Sequence, residues 1–306
     1  MLSFLPAPLL GMTSLIFLSV NTIFWSVLLY VAVLLKLISP MRRIRHFFSQ
    51  AATLCAKLWV DCNNLLFSKF YDMNWDIKGL EKLDKKKSYL LVSNHRSWTD
   101  IFVLQKVFNR HIPFPKFFLK QELIWVPFLG LAWWGLDYPF MKRYSKEKLE
   151  KKPQLRGKDM KTTRKHCEKF KNSPVSIINF LEGTRFNFEK KARQKSPFSH
   201  LLRPKAGGAA LVLSSMGDYL TNILDITIVY PGNKPPHKFW DLLKGKIPNI
   251  TVRVETLDVP ENVVGKDYSE DKSFRENFQK WVNELWQKKD EQIEKIMAKY
   301  ARAKKT

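Results

Sequence analysis

The order of apolar and charged positions first marks a membrane segment at the start of the chain. Residues 7–35 contain no charged side chain, and about twenty apolar residues are enough to cross a bilayer. A group of basic residues comes directly after it: Lys36, Arg42, Arg43 and Arg45. A cleaved signal peptide is the alternative, but it would begin with basic residues, and none precedes Lys36. Residues 1–40 are therefore predicted to form a transmembrane or membrane-embedded helix; hydropathy leaves open whether it crosses fully or re-enters. The basic residues place the rest of the chain on the cytoplasmic side.

Apolar residues at helical spacing continue from 42 to 70, with the charges gathered at the beginning. This pattern is typical of a helix lying on a bilayer, and also of a helix packed on the core of the next domain. Residues 41–74 are predicted to be this juxtamembrane helix. Cys55 and Cys62 lie seven apart on one face and are interpreted as packing residues. With Cys167 they are the chain's three cysteines, too few and too scattered for a disulfide framework or a structural zinc site.

Beyond residue 74, short β-rich runs alternate with longer helical or irregular pieces. The runs are 89–92, 175–180, 225–230 and 250–255. This order predicts an α/β domain over residues 75–306, with a mixed sheet flanked by helices. A last amphipathic helix is predicted over 268–303. Its apolar face should dock on the core, and a position on the membrane surface is the alternative.

The stretch 94–100 comes after the first of these strands and contains His95 and Asp100. Histidine has the free pKa nearest to neutral pH, and an aspartate can hold one ring nitrogen protonated so that the other accepts a proton. If the strand ends at Ser93 and a helix begins near Thr99, the turn folds Asp100 back onto His95. The alternative is a loop histidine followed by a helix N-cap.

Two further clusters come after later strands, where ligands of α/β sheets bind. In the first, Gly183 permits a sharp turn, Thr184 can bond to nearby backbone, and Arg185 offers a planar fork suited to phosphate. The alternative is a surface turn in which Glu182 and Arg185 form a screened ion pair. The second cluster is Tyr230, Pro231 and Gly232.

An aromatic segment lies between Lys120 and Arg143. Its large rings are Trp125, Phe128, Trp133, Trp134, Tyr138 and Phe140. Such residues suit a groove for an acyl chain, a belt at the membrane interface, or a buried helix pair. The sequence does not choose among the three.

Taken in order, these stretches resemble the glycerophospholipid acyltransferases, which include the bacterial 1-acyl-sn-glycerol-3-phosphate acyltransferases (PlsC-like). The His-x4-Asp block is 94–100, the second block is 140–143, the Glu-Gly-Thr-Arg block is 182–185 and the proline-bearing block is 228–231. The resemblance runs from about residue 88 to 232. It departs at Lys142, where relatives commonly carry an acidic residue or Asn, and at Leu181, where they commonly carry Pro.

The resemblance implies a membrane-bound enzyme that moves an acyl group from acyl-CoA or acyl carrier protein to a lysophospholipid hydroxyl. The expected acceptor is 1-acyl-sn-glycerol-3-phosphate, giving phosphatidic acid; another lysophospholipid is the alternative. His95 would be the general base and Asp100 its orienting partner. The expected substrate-binding residues are Lys120, Arg143, Glu182, Gly183, Thr184, Arg185 and Pro231. No metal or cofactor beyond the acyl donor is expected, and the expected location is a bacterial inner membrane with the catalytic domain on the cytoplasmic side.

The net charge of +24 at pH 7 implies an anionic partner. Basic residues crowd 142–171, a run suited to anionic lipid headgroups, to CoA phosphates or to an acidic carrier protein. Residues 186–203 are predicted to be a second basic loop, mobile and lying over the site. Nucleic acid is not expected as a partner, because the chain has a membrane segment and no recognisable nucleic-acid-binding motif. A non-catalytic membrane scaffold stays open as an alternative.

Overall fold

The computed structural model describes residues 5–141, 170, 173–233, 235, 238–260, 268 and 271–303. The strands are β1 Asn74–Lys78, β2 Tyr89–Ser93, β3 Pro115–Phe117, β4 Leu119–Lys120, β5 Phe140–Met141, β6 Ser176–Phe180, β7 Asn222–Val229 and β8 Asn249–Asp258. The α-helices are α1 Ala7–Ile38, α2 Arg42–Phe70, α3 Thr99–Phe108, α4 Leu129–Gly135, α5 Phe188–Arg193, α6 Gly207–Met216, α7 Phe239–Leu243 and α8 Lys272–Ala303.

The main sheet has the strand order β1-β8-β7-β2-β6-β3. It is mixed: β7 and β8 are antiparallel, and every other neighbouring pair is parallel. The predicted α/β class with a mixed, helix-flanked sheet is confirmed. Because β2 runs parallel to both β6 and β7, with Ser93 opposite Phe180 and Ile226, the loops after these three strands meet at one edge.

The alternation of side chains along β2 divides the core into two layers. Leu90 and Val92 face one apolar cluster, which includes residues of α6 and α8. Tyr89 and Leu91 face the other, formed by α3, α7 and the adjoining ends of α1 and α2. All five residues of β2 are buried, as expected for a central strand covered on both faces.

The first helix packs along the domain over its whole length. Near its start, Tyr71 Oη donates to Ser14 Oγ; in its middle, Asn21 Nδ2 donates to Asn63 Oδ1 at 2.8 Å. Near its end, Lys36 Nζ lies 3.1 Å from Asp137 Oδ2. α1 is long and apolar enough to cross a membrane, yet one side of it is covered by protein from end to end.

The last helix docks on the core, as expected for its apolar face. Phe274, Phe278, Leu285 and Trp286 are buried against the sheet layer. The alternative of a helix lying on the membrane through this face is wrong, because the face is already covered by protein.

The expectation of a mobile loop over 186–203 is also wrong. This stretch contains α5, and its apolar residues Phe186, Phe198, Leu201 and Leu202 are buried. Asp290 of α8 accepts the backbone N–H groups of Ser199 and His200, each at 2.7 Å. The basic residues are spread among buried apolar anchors, and the anchors fix the segment.

Candidate active site

The structure brings His95 and Asp100 together. β2 ends at Ser93 and α3 begins at Thr99, and the intervening turn places His95 Nδ1 2.7 Å from Asp100 Oδ2. The imidazole stacks on Phe180 at the end of β6, with ring centroids 4.0 Å apart and an interplanar angle of 14°. With Nδ1 held by the carboxylate, Nε2 is the nitrogen left to exchange a proton.

Asp100 is fully buried, and both of its oxygens are hydrogen-bonded. Oδ2 also accepts the backbone N–H of Arg96 at 2.6 Å and of Ser97 at 2.9 Å. Oδ1 accepts the hydroxyl of Tyr230 at 2.5 Å. Burial, followed by the nearby Asp100 carboxylate, raises the pKa of Tyr230 above its usual range, so its hydroxyl stays a donor. The carboxylate is thus fixed in orientation before any substrate arrives.

Glu182 supports this turn from the loop that follows the neighbouring strand β6. It has no exposed surface; its Oε1 accepts the backbone N–H of His95 at 3.0 Å, and its Oε2 accepts that of Leu202 at 3.2 Å. Burial raises the pKa of Glu182 to about 8, while the two backbone N–H groups and the Arg96 guanidinium act in the opposite direction. A buried carboxyl that bonds to backbone cannot be the acid of a screened surface ion pair, so that alternative for Glu182 and Arg185 is wrong.

The turn after β6 presents basic groups beside the histidine. Gly183 has φ +66°, which a glycine adopts without strain. Lys190 Nζ donates to Thr184 Oγ1 at 2.8 Å and to the carbonyl of Arg185 at 2.9 Å, which holds the turn. The exposed guanidinium of Arg185 lies over the Trp98 ring, 5.0 Å from its centroid. This arrangement places a cation at the edge of the site.

An apolar cavity of about 450 Å³ opens beside the pair. Its walls come from α1, α2, α3 and the aromatic segment, and they include both Trp98 and Phe180. Phe180 touches the cavity on one side and the imidazole on the other. Ligand pockets are typically about 300–1,000 Å³, so the cavity is large enough for an apolar group that reaches Phe180, the residue on which His95 stacks.

Not every predicted residue joins this cluster. Lys120 is exposed in β4, which pairs with β5, and Pro231 is buried just after β7, next to Tyr230. Arg143 and Lys142 lie outside the described residues, as do Cys167 and most of the basic run 142–171. Their predicted roles stay predictions.

Sequence reasoning missed Tyr230 and Phe180 as contacts of the pair, although both lie at the ends of predicted strands. Tyr230 could have been found from its position: it is a hydroxyl-bearing aromatic residue directly after β7, the strand that pairs with β2. Asn94 was also missed: its amide bonds to the backbone of Ile228 in both directions, at 2.8 and 2.9 Å, and ties the β2 end to β7.

By fold and site, this is an α/β protein with a histidine–aspartate pair beside an apolar cavity, and the Phe180 ring lies between the imidazole and the cavity. The chain belongs to the acyltransferase family, because the family model described as "Acyltransferase" matches residues 74–231, just over half of it. The matched region runs from β1 to the residue after Tyr230, and so includes every strand that contributes to the cluster.

Several curated proteins are similar to this chain. The mouse 1-acyl-sn-glycerol-3-phosphate acyltransferase epsilon is 24% identical over 230 residues, covering 67% of this chain and 57% of the mouse protein. The Arabidopsis thaliana 1-acyl-sn-glycerol-3-phosphate acyltransferase 3 is 25% identical over 240 residues, covering 73% of this chain and 57% of the Arabidopsis protein. The yeast 2-acyl-1-lysophosphatidylinositol acyltransferase is 25% identical over 272 residues, covering 71% of this chain and 66% of the yeast protein. The chain thus spans less than two thirds of the length of each.

Among solved structures, the 1-acyl-sn-glycerophosphate acyltransferase PlsC from Thermotoga maritima is similar, with a TM-score of 0.47 and 15% sequence identity. The alignment covers 90% of this chain and 98% of that one.

Proposed function

We propose that this protein transfers a fatty acyl group from acyl-CoA or acyl carrier protein to the free hydroxyl of a lysophospholipid. The observation that carries the proposal is the His95–Asp100 pair beside the apolar cavity, which it meets through the Phe180 ring. The pair supplies a base, and the cavity supplies a place for a hydrocarbon chain. Membership of the acyltransferase family agrees with both.

The reaction uses the free ring nitrogen of the pair. His95 Nε2 takes the proton of the acceptor hydroxyl as its oxygen attacks the thioester carbonyl carbon, and Asp100 stabilises the imidazolium that forms. The tetrahedral intermediate then collapses, the carbon–sulfur bond breaks, and the leaving thiolate takes the proton back from His95. The products are the ester and the free thiol. General-base help of this kind contributes about 10²–10⁴-fold.

The site offers an apolar region for the acyl chain and a cationic region for the headgroup of the acceptor. The apolar cavity would hold an acyl chain, whose thioester then lies beside Phe180 and His95. Arg185 and Lys205 would meet an anionic headgroup: Lys205 Nζ lies 3.6 Å from where a Cβ would stand on Gly183. Trp98 lies beneath Arg185 and also lines the cavity, so the cationic and apolar parts of the site adjoin.

The acceptor is proposed to be 1-acyl-sn-glycerol-3-phosphate, with phosphatidic acid as the product. The names of the mouse and Arabidopsis relatives support this choice. A second candidate is a lysophospholipid with a larger headgroup, which the name of the yeast relative favours. We propose that the enzyme acts at a membrane, because α1 exposes an apolar face along its length.

The experiment is an acyl-transfer assay with purified protein, labelled oleoyl-CoA and a panel of lysophospholipids. We expect the highest rate with 1-acyl-sn-glycerol-3-phosphate. A higher rate with lysophosphatidylinositol would select the second acceptor. No transfer to any lysophospholipid, from either oleoyl-CoA or oleoyl carrier protein, would refute the function.

The headgroup assignment predicts the effect of Arg185→Ala. Hydrogen bonds to charged groups contribute about 1.5–3 kcal/mol, so KM for the phosphate-bearing acceptor should rise about tenfold or more, with kcat little changed. Steady-state kinetics measure both constants. Arg193→Ala, which removes an exposed arginine from α5, is the matched control. An equal rise in KM for a monoacylglycerol, which has no phosphate, would contradict the assignment.

A further inference from the structure

Residues 121–136 form a segment with two apolar sides, which we call the aromatic wall. Its inner side lines the cavity through Leu123, Val126, Leu129, Ala132 and Trp133. Its outer side is open: Trp125 is 85% exposed, Leu131 58%, Trp134 48% and Phe128 43%. Large apolar side chains grouped in this way on one surface mark an interaction site.

The wall is fixed against the second half of α1. Tyr30 Oη donates to the carbonyl of Phe128, a residue held at φ +61°. A Cβ on Gly135 would stand 2.6 Å from Val33, so only glycine allows this close approach. The Lys36–Asp137 ion pair closes the far end. The exposed rings are therefore neighbours of the exposed apolar side of α1, where Val31, Leu34 and Leu37 are each more than half exposed.

The chemistry of this surface fits a lipid bilayer. Tryptophan concentrates at the membrane–water interface, where its ring is partly apolar and partly polar. Exposed Arg42, Arg43 and Arg45 come after the end of α1, and basic residues there attract anionic headgroups. The apolar side of α1 extends for about 48 Å, at about 1.5 Å per residue over its 32 residues, a continuous surface for lipid.

We propose that the aromatic wall inserts into the bilayer interface and that lipid substrates enter the cavity across it, from the membrane. The partner is a phospholipid surface containing anionic lipid. The entry route rests on the proposed function, because it assumes that the cavity receives an acyl chain. Insertion does not, since it depends only on the exposed rings and their position beside α1.

The test compares wild type, Trp125→Ser/Trp134→Ser and Trp125→Phe/Trp134→Phe in the full chain. Each is bound to phosphatidylcholine vesicles, with or without phosphatidylglycerol, whose acyl chains carry bromine near the headgroup. Bromine quenches nearby tryptophan, so wild type should lose more emission than the serine variant, and by more with phosphatidylglycerol present. This measurement needs no turnover, so it stands even if the enzymatic proposal fails.

The second measurement is acyl transfer. Transfer to a long-chain acceptor embedded in vesicles should fall about tenfold or more in the serine variant and be restored in the phenylalanine variant. Transfer to a short-chain acceptor dissolved below its micelle concentration should stay within about twofold, since the cavity side is unchanged. Equal quenching of wild type and serine variant would overturn insertion. So would a wild-type dimer in detergent that the serine change dissociates, because a second copy would then cover the rings. An equal loss with both acceptors would overturn the entry route.

Discussion

The Tyr230 hydroxyl donates to Oδ1 of Asp100, the carboxylate oxygen that does not contact His95, and so fixes its position. In Tyr230→Phe, Oδ1 stays buried without this donor, while Oδ2 keeps its contact with His95. Because hydrogen bonds to charged groups contribute about 1.5–3 kcal/mol, kcat should fall about 10- to 100-fold with KM little changed. Steady-state acyl-transfer kinetics measure the two constants.

Tyr71→Phe is the matched control, because Tyr71 is also buried and its hydroxyl bonds to Ser14 and to the Leu243 carbonyl, away from the pair. It should lower stability and leave kcat in place. If Tyr230→Phe alters only the unfolding midpoint and not kcat, Tyr230 supports the fold and does not position Asp100.

Glu182 gives the protein a pH-dependent stability. Its pKa is about 8 in the folded protein against an ordinary 4.5, so between these values the folded state holds a proton that the unfolded state has lost. Stability from this group is therefore highest below pH 4.5 and falls as pH rises towards 8, by up to about 1.4 kcal/mol per pH unit. Unfolding midpoints in urea from about pH 5 to 8 should fall for wild type more steeply than for Glu182→Gln. Parallel slopes would contradict the assignment.

At the residue scale, the sequence predicts partners better than it predicts their roles. The spacing from His95 to Asp100 and the positive φ of Gly183 are set by local turn chemistry, and both are present. Glu182 was expected to be a substrate-binding residue, but its carboxyl bonds to backbone inside the protein. The direction of that side chain depends on Leu202, twenty residues along the chain, and no local pattern contains that contact.

The short helix α4 forms part of the cavity wall, so, if the cavity holds the acyl chain as proposed, the inner residues of α4 set the length of chain that fits. Ala132 is buried and lines the cavity. In Ala132→Leu the added side chain occupies part of it, and overpacking costs about 1–3 kcal/mol. Transfer from oleoyl-CoA should fall about tenfold, while transfer from octanoyl-CoA is kept. Ala192→Leu, at an exposed position of α5, is the control. An unchanged oleoyl-to-octanoyl ratio in Ala132→Leu would show that the chain lies elsewhere.

Elements were predictable where a periodic pattern is strong. The buried strands β2, β6 and β7 and the long helices stand out as apolar runs or helical repeats. β1, with the polar sequence Asn-Trp-Asp-Ile-Lys, and β3, only three residues long, do not. Both lie at the edges of the sheet, and both are too short for an alternation of polar and apolar residues to stand out from the sequence. The strand order itself depends on long-range pairing, which one sequence does not contain.

At the scale of the whole molecule, hydropathy identifies α1 but not its surroundings. Contacts at Ser14, Asn21, Tyr30 and Lys36 place protein along one side of the helix. Among the described residues, the other side exposes apolar side chains such as Ile16, Val20 and Leu34. The choice between a full crossing and a re-entrant helix, which hydropathy left open, stays a prediction. The two long helices, α1 and α2, form part of the cavity wall.

The proposed acyl transfer depends on His95, held by Asp100, as its base. The decisive measurement is kcat for oleoyl transfer to 1-acyl-sn-glycerol-3-phosphate in His95→Ala, with His111→Ala, an exposed histidine away from the pair, as the control. We expect a loss of about 10²–10⁴-fold for His95→Ala and a wild-type rate for His111→Ala, with both proteins folded. Transfer by His95→Ala at the wild-type rate would contradict this role.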